Sequence, residues 1–311
     1  MVNIEDAYRC YPDAAAVDAW ADSLLYKASN ISVQGDFLDI VPVREEFGNN
    51  PNSLVNRYVR FSSSGRRTFY GYWQPSMKTP APLLINLPGY GSYMSFHPQI
   101  NDDGYNILHI SPLGYVTPTG CHRDMALPDG NWPVAYNTSL GLPEGYEEWL
   151  TDCLAAIFWA QKRPEVLADR LSLFGTSQGG GGAILIASIL QNNVRCVCAD
   201  LPFMTAFPDT RLKGPAYGIL QFSYDKCTDD ESRSLFWKRL GYVDTLSHSH
   251  RLHIPVMLSA GGEDDTCPAC CIEKLFGRIS CTKQYTYLQN GIHTHSRESM
   301  YLFRSWLSLF A

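Results

Sequence analysis

Residues 174–183 read FGTSQGGGGA, a Ser-Gln pair set between glycines with three further glycines before an apolar run begins. Glycine gives up more backbone freedom on folding than any other residue, so a cluster like this persists only where a turn is tight or two backbones come close. The flanks fix the setting. Residues 170–175, RLSLFG, have the short apolar character of a buried strand, and GGAILIASILQNN reads as a helix with little polar surface. Strand, Gly175-Thr176-Ser177-Gln178-Gly179, then helix is the context in which G-x-S-x-G forms a sharp elbow. There a serine hydroxyl stands at a strand's end and a helix's start. Backbone N–H groups at that helix start favour negative charge developing nearby. Gly180, Gly181 and Gly182 are expected to let the helix lie close against a sheet.

A serine hydroxyl is a weak nucleophile until a base takes its proton, and that base needs a carboxylate to orient it. On an elbow of this kind the partners follow in the order Ser, acid, His, each after a later strand. IPVMLSAG is such a strand and is followed by Glu263, Asp264 and Asp265; QYTYLQ is another and is followed by His293 and His295 in NGIHTHS. Of the two histidines, His293 follows its strand more closely, after Gly291, and His295 stands as the alternative. An oxyanion needs two donors. The N–H of Gln178 is one candidate; the other is the N–H of Tyr90 in LPGYG, the loop after an early strand, with Gly89 giving access to the backbone.

The remaining pattern predicts the architecture. NRYVRFSSSGRRTFYGYWQP reads as two strands around a Ser/Gly turn, PLLINLPGYG and YNILHISPLG as strands ending in turns, and VRCVCAD as a further buried strand. GYEEWLTDCLAAIFWAQKRP has helical spacing, with Trp149, Cys153, Ala156 and Ala160 on one face and Pro164 as the stop; the last helix runs over about 296–309. Short apolar strands alternating with helices predict an α/β fold with a mostly parallel central sheet and helices on both faces. Residues 1–55 are expected to be an N-terminal extension on the core, with a helical piece near 14–27, and residues 56–311 the main domain. Residues 115–145 read as loop, and 201–250 as a small, mostly helical cap insertion whose aromatic residues are mainly its own core.

A net charge of −6 without any dense Lys/Arg block argues against nucleic acid and anionic membranes as partners. The first twenty residues lack the basic and apolar regions of a secretory signal, and no run approaches the roughly eighteen apolar residues of a membrane span, so a cytoplasmic location is expected. The ten cysteines are then expected to be free thiols, Cys196 and Cys198 acting as small hydrophobes in a strand. CPACC has C-x-x-C spacing without a second ligand pair, HSHRLH (His248, His250, His253) suits a polar connector, and neither predicts a metal site. His122, in GCHRD, has no assignable role.

With those residues in hand, the chain resembles the acetyl xylan esterase / cephalosporin C deacetylase family of α/β-hydrolases from about residue 56 to its end. GTSQGGG carries most of the likeness. ADLPFMTAF is similar to the family's Asp-x-Pro-Phe segment, GGEDDTCPAC to its Gly-x-x-Asp-x-x-Cys-Pro element, and LPGYG to its His-Gly-Tyr oxyanion loop. That register implies Asp264 as the triad acid, with Asp265 the alternative, and supports Tyr90. The chain departs from the family where SPLGY stands in place of Arg-Gly-Gln-Gly and where GIHTHS lacks the terminal Gly-His-Glu. The resemblance implies an α/β-hydrolase fold and a serine esterase that removes acetyl groups from O-acetylated small molecules or oligosaccharides. It further implies, as often in that family, a compact homo-oligomer, and the serine mechanism itself is expected to need no metal or organic cofactor. The competing readings are a non-catalytic binding protein on the same scaffold, or a peptidase or acyltransferase using the same triad.

Overall fold

The computed structural model describes residues 3–38, 57–91, 97–118, 120–121, 125–128 and 130–311. Helix α1 (Ile4–Arg9) starts at Asn3, whose side chain accepts from the amides of Glu5 and Asp6; α2 (Ala14–Ser29) starts at Asp13, which caps the amide of Ala16. Val17, Ala21, Leu24 and Ala28 of α2 face inward at helical spacing. Strand β1 (Gln34–Phe37) then pairs with β2 (Arg57–Ser62), so the N-terminal segment adds a strand to the sheet as well as packing on it.

The chain continues through β3 (Phe69–Gln74), β4 (Ala81–Leu87), the short helix α3 (Pro98–Asp102), β5 (Asn106–Ser111) and a small hairpin of β6 (Val116–Thr117) and β7 (Gly120–Cys121). Next come α4 (Val134–Leu140), α5 (Tyr146–Gln161), β8 (Val166–Thr176), α6 (Gln178–Leu190) and β9 (Val197–Asp200). Helices α7 (Gly218–Asp225) and α8 (Asp230–Tyr242) precede β10 (Val256–Gly261), α9 (Ala269–Arg278), β11 (Lys283–Leu288) and α10 (Arg297–Phe310). Among the described residues the main sheet runs β1-β2-β3-β5-β4-β8-β9-β10-β11, with β1, β2 and β3 antiparallel and the six strands from β5 to β11 parallel to one another. This is the α/β-hydrolase arrangement expected from the alternation of strands and helices.

The two-residue period of the strands divides the core into two layers. Leu83, Ile85, Leu173, Val197 and Leu258 point to the layer built with α2, α5 and α6. Their neighbours Leu84, Phe174, Cys198 and Met257 point the other way, against Ile100 of α3 and Phe303, Trp306 and Leu307 of α10. With both faces covered, β5, β9 and β10 are buried along their whole length and β8 over Leu171–Gly175, which is why these stretches read as largely apolar runs. Cys196 and Cys198 lie in this second layer, and the described cysteines carry no disulfide.

Two stretches differ from the sequence reading. Residues 115–145 contain α4, and within the HSHRLH connector, where His250 and His253 are exposed, His248 is fully buried, bonded to Ser188 Oγ (2.9 Å) and the Tyr242 carbonyl (2.8 Å). Arg251, also buried, reaches Asp18 (2.7 Å) and Asp22 (2.9 Å) and so ties α2 to the core. Among the described residues no helix is long and apolar enough to cross a membrane.

Candidate active site

Ser177 sits between the last residue of β8 and the first of α6, with φ 58° and ψ −123°. A positive φ is costly for a residue with a side chain and persists only where the surroundings hold it. Here they do: the Ser177 amide donates to the Asp200 carbonyl at 2.9 Å, and its own carbonyl accepts from the amides of Gly181 and Phe203, both at 3.0 Å. The glycines divide this work. A Cβ on Gly179 would collide with the Leu87 carbonyl at the end of β4, as the close helix–sheet approach requires. A Cβ on Gly181 would collide instead with the Phe203 carbonyl, so this glycine admits the chain leaving β9 rather than the sheet.

The elbow delivers Ser177 Oγ to 2.9 Å from His293 Nε2. On the other side of that ring, Nδ1 lies 2.9 Å from Asp264 Oδ2. Asp264 follows β10 and its side chain is wholly buried, while its Oδ1 accepts from the amides of Thr266 (2.8 Å) and Cys267 (2.7 Å). With Nδ1–H donated to the carboxylate, Nε2 is left to accept the serine proton, the arrangement a general base needs. Cys267 lies beside this group, and burial, aided by the Asp264 charge, pushes its pKa well up, so it stays a protonated thiol.

The other candidates take different places. Asp265 is exposed and accepts from Thr266 Oγ1 at 3.2 Å, away from either histidine. His295 faces Asp200, its Nδ1 2.7 Å from Oδ2, and does not meet Ser177. Tyr90 follows β4 at the edge of the cleft, its hydroxyl donating to the Trp132 carbonyl at 2.9 Å. Gly89 is not required sterically, since a Cβ there would meet only the Thr176 carbonyl at an ordinary 3.8 Å. Gln178 opens α6, where the first amides have no partner within the helix. Its side chain is buried, with Oε1 accepting from Tyr146 Oη at 2.9 Å and Nε2 without a partner among the described residues. His122 lies outside the described residues.

Above these groups opens a cleft of about 600 Å³. Ser177, Gln178 and His293 form its polar floor; Phe203, Pro215, Ile219 and Phe222 form a wall from the segment after β9. The Ser111–Tyr115 turn, which departs from the resembled family's motif, is held from below: Asp152 accepts from the Leu113 amide (3.0 Å) and pairs with Arg66 (2.6 Å). Among the described residues no group of three or more His, Cys, Asp or Glu side chains is arranged to hold a metal ion. Sequence reasoning missed Tyr146 and the polar neighbours of Asp200; the Asp-x-Pro-Phe likeness was the one sign that Asp200 mattered.

A serine on a strained elbow, a histidine against it and a buried carboxylate behind the histidine, on an α/β-hydrolase sheet, are the parts of a serine hydrolase, and the family match makes it a carboxylic ester hydrolase. Residues 144–306, just over half of the 311, match the family model described as acetyl xylan esterase (AXE1), and the chain belongs to that family. The fold is similar to that of an acetyl xylan esterase from Paenibacillus sp. R4 (TM-score 0.75, 16% identity, 99% of this chain and 100% of that one). It is also similar to acetyl xylan esterase 1 from Thermoanaerobacterium sp. JW/SL YS485 (TM-score 0.72, 19% identity, 96% and 95%). The Pyrococcus horikoshii acylaminoacyl peptidase shares the fold more distantly (TM-score 0.59, 15% identity), over 82% of this chain and 41% of that one.

Proposed function

We propose that this chain removes acetyl and other short acyl groups from O-acetylated small molecules or oligosaccharides through an acyl-enzyme. The observation that carries this reading is the continuous relay from Asp264 through His293 to Ser177, with both links at 2.9 Å, on the floor of the cleft. Ser177 Oγ attacks the ester carbonyl carbon while its proton passes to His293 Nε2. The tetrahedral intermediate collapses as Nε2–H protonates the departing alcohol, leaving an acyl-serine. Water then enters, gives a proton to Nε2 and attacks the acyl carbon; the proton returns to Ser177 as the carboxylic acid leaves. Asp264 holds the imidazole with Nδ1 protonated and offsets its charge when it becomes imidazolium. The amides of Tyr90 and Gln178 receive the oxyanion, each worth about 3–4 kcal/mol of transition-state stabilisation. The groups named supply every proton transfer, so the scheme calls for no cofactor. Residues 201–250 act as the cap whose Phe203, Ile219 and Phe222 face the substrate.

The test is hydrolysis of 4-nitrophenyl acetate, butyrate and octanoate by wild type and Ser177→Ala, with acetylated xylo-oligosaccharides alongside. Turnover favouring acetate and lost in the variant supports the reading, and acetate release from the oligosaccharides assigns the substrate class. Wild-type turnover no faster than the variant's overturns it and leaves a ligand-binding scaffold. Cleavage of peptide amides in preference to acetate esters would make the chain a peptidase.

A further inference from the structure

A second histidine–carboxylate pair lies directly behind the first. Asp200 is the last residue of β9 and is fully buried, yet side chains from four other parts of the fold converge on it. His295 Nδ1 lies at 2.7 Å, Ser299 Oγ of α10 at 2.9 Å and Thr176 Oγ1 of β8 at 3.2 Å, and Ser259 Oγ of β10 completes the set. Burial alone would push this carboxyl's pKa up; the hydrogen bonds from His295, Ser259 and Ser299, with the His295 charge, outweigh it and hold the group below the usual carboxylate range. The main-chain carbonyl of the same residue accepts the Ser177 amide at 2.9 Å. Asp200 therefore grips the nucleophile's peptide with its backbone and the histidine loop with its side chain.

The loop is tied at its start, where the Gly291 amide donates to the Leu288 carbonyl at 2.8 Å and the Gly291 carbonyl accepts from the Glu263 amide at 2.9 Å, and His295 ties it at its end. His293 occupies the centre of a three-residue turn closed by the Thr294 amide on the Ile292 carbonyl at 2.7 Å. One residue, Thr294, separates it from His295. The polar contacts of the His295 ring are on its Nδ1 edge, to Asp200 and to Thr176 Oγ1 at 3.4 Å; its Nε2 is buried without a partner among the described residues. A buried ring nitrogen left unpaired is a cost, and it is borne at a position two residues from the group that must meet Ser177.

We propose that His295 and Asp200 are a positioning pair for the proposed ester hydrolysis: the carboxylate fixes His295, and through the turn fixes the reach of His293 to Ser177. The inference rests on the Ser177–His293–Asp264 reading. Neither member of the pair touches the substrate. Displacing a reacting group by about 1 Å costs on the order of 100-fold in rate, so loss of the pair lowers kcat and leaves KM nearly alone.

The experiment is steady-state hydrolysis of 4-nitrophenyl acetate by full-length wild type, His295→Ala and His295→Asn, with active serines counted by titration with diethyl 4-nitrophenyl phosphate. Unfolded protein does not react with the titrant, so rates per titrated serine separate positioning from folding. His295→Ala is expected to lose about 10- to 100-fold in kcat per titrated serine with KM within about threefold of wild type. His295→Asn, whose amide can still donate to Asp200, is expected to recover most of that loss. The proposal is overturned by a kcat per titrated serine in His295→Ala within twofold of wild type, by a loss confined to KM, or by an asparagine variant no better than alanine. If His295→Ala yields no folded protein, Ser259→Ala and Ser299→Ala loosen Asp200 from β10 and α10, the second also removing a 3.2 Å contact with Ser296 Oγ. A kcat per titrated serine unchanged in their double variant overturns the proposal, and a fall with KM unaltered supports it. Ser177→Ala run in parallel keeps the two ideas apart: should it retain the activity, the esterase reading itself fails, whatever His295 does.

Discussion

His293 and His295, two residues apart on one turn, are each held through Nδ1 by a different buried carboxylate, Asp264 at 2.9 Å and Asp200 at 2.7 Å. Only His293 presents its second nitrogen to Ser177. Two identical side chains thus acquire different duties from the strand end each one meets.

The first consequence concerns the acid. Asp264→Asn keeps the shape of the side chain but cannot hold the Nδ1–H tautomer of His293, and kcat on 4-nitrophenyl acetate is expected to fall by about 10³- to 10⁴-fold. Asp265→Asn, at an exposed position, is expected to leave kcat within twofold. Comparable losses in the two variants would reassign the acid.

A methyl group at position 181 has nowhere to go. Gly181→Ala drives a Cβ into the Phe203 carbonyl, a backbone atom that cannot swing aside, so the chain leaving β9 must shift. The expected cost is about 1–3 kcal/mol of stability, read by urea denaturation, together with loss of turnover because Phe203 donates to the Ser177 carbonyl. A variant as stable and as active as wild type would contradict the packing described.

Buried histidines set a lower pH limit on the fold. Desolvation depresses the buried His248 and, aided by the His295 charge, the half-buried His97 from the ordinary 6.5 to about 4, and it depresses the buried His109 well below its usual value. Because these folded-state pKa values lie below those of the unfolded chain, the unfolded chain binds more protons between pH 4 and 6.5. Their contribution is therefore complete above pH 6.5 and is lost as pH falls toward 4, by up to about 3 kcal/mol for each of the first two. Urea midpoints at pH 7.5, 6 and 5 should fall steadily while the m-value holds; a midpoint unchanged down to pH 5 would show these rings to be more accessible to protons than their burial implies.

Tyr146→Phe removes the one hydrogen bond on the Gln178 side chain among the described residues, leaving a buried amide with neither end paired. A loss of about 1–3 kcal/mol is expected in urea denaturation. An unaltered midpoint would mean that water or substrate-side groups satisfy the amide.

How much of this was legible beforehand followed the strength of local signals. Strand–Gly–helix punctuation marked Ser177 and narrowed its partners to Glu263, Asp264 or Asp265 and to His293 or His295, because each group follows a strand whose apolar run ends abruptly; the family likeness then singled out Asp264. Helix α4 was hidden: VAYNTSL mixes β-branched Val134 and Thr138 with Asn137 and Ser139, poor helix formers all, and tertiary contacts sustain it. Its Tyr136 stacks on Phe222, Ser139 bonds Ser223 at 2.8 Å, and Gly141 closes it at φ 72°. Helix α9 was masked by the C-x-x-C spacing at its start, where Cys267 and Cys271 are core residues. Beyond the Asp-x-Pro-Phe likeness at Asp200 itself, nothing local marked the convergence on it, for its donors come from positions 176, 259, 295 and 299. Contacts that distant in sequence are made by topology, and no window along the chain contains them.

The Phe203 amide and the Ser177 carbonyl share a hydrogen bond of 3.0 Å, and the Phe203 side chain also faces the cleft. For anyone redesigning substrate preference this sets a hierarchy among wall positions. Ile219 and Phe222 belong to a separate helix and can be exchanged to enlarge or narrow the site with the elbow undisturbed. Any change at 203 that moves the backbone is transmitted to the peptide bearing the nucleophile, so selectivity and turnover cannot be tuned independently there.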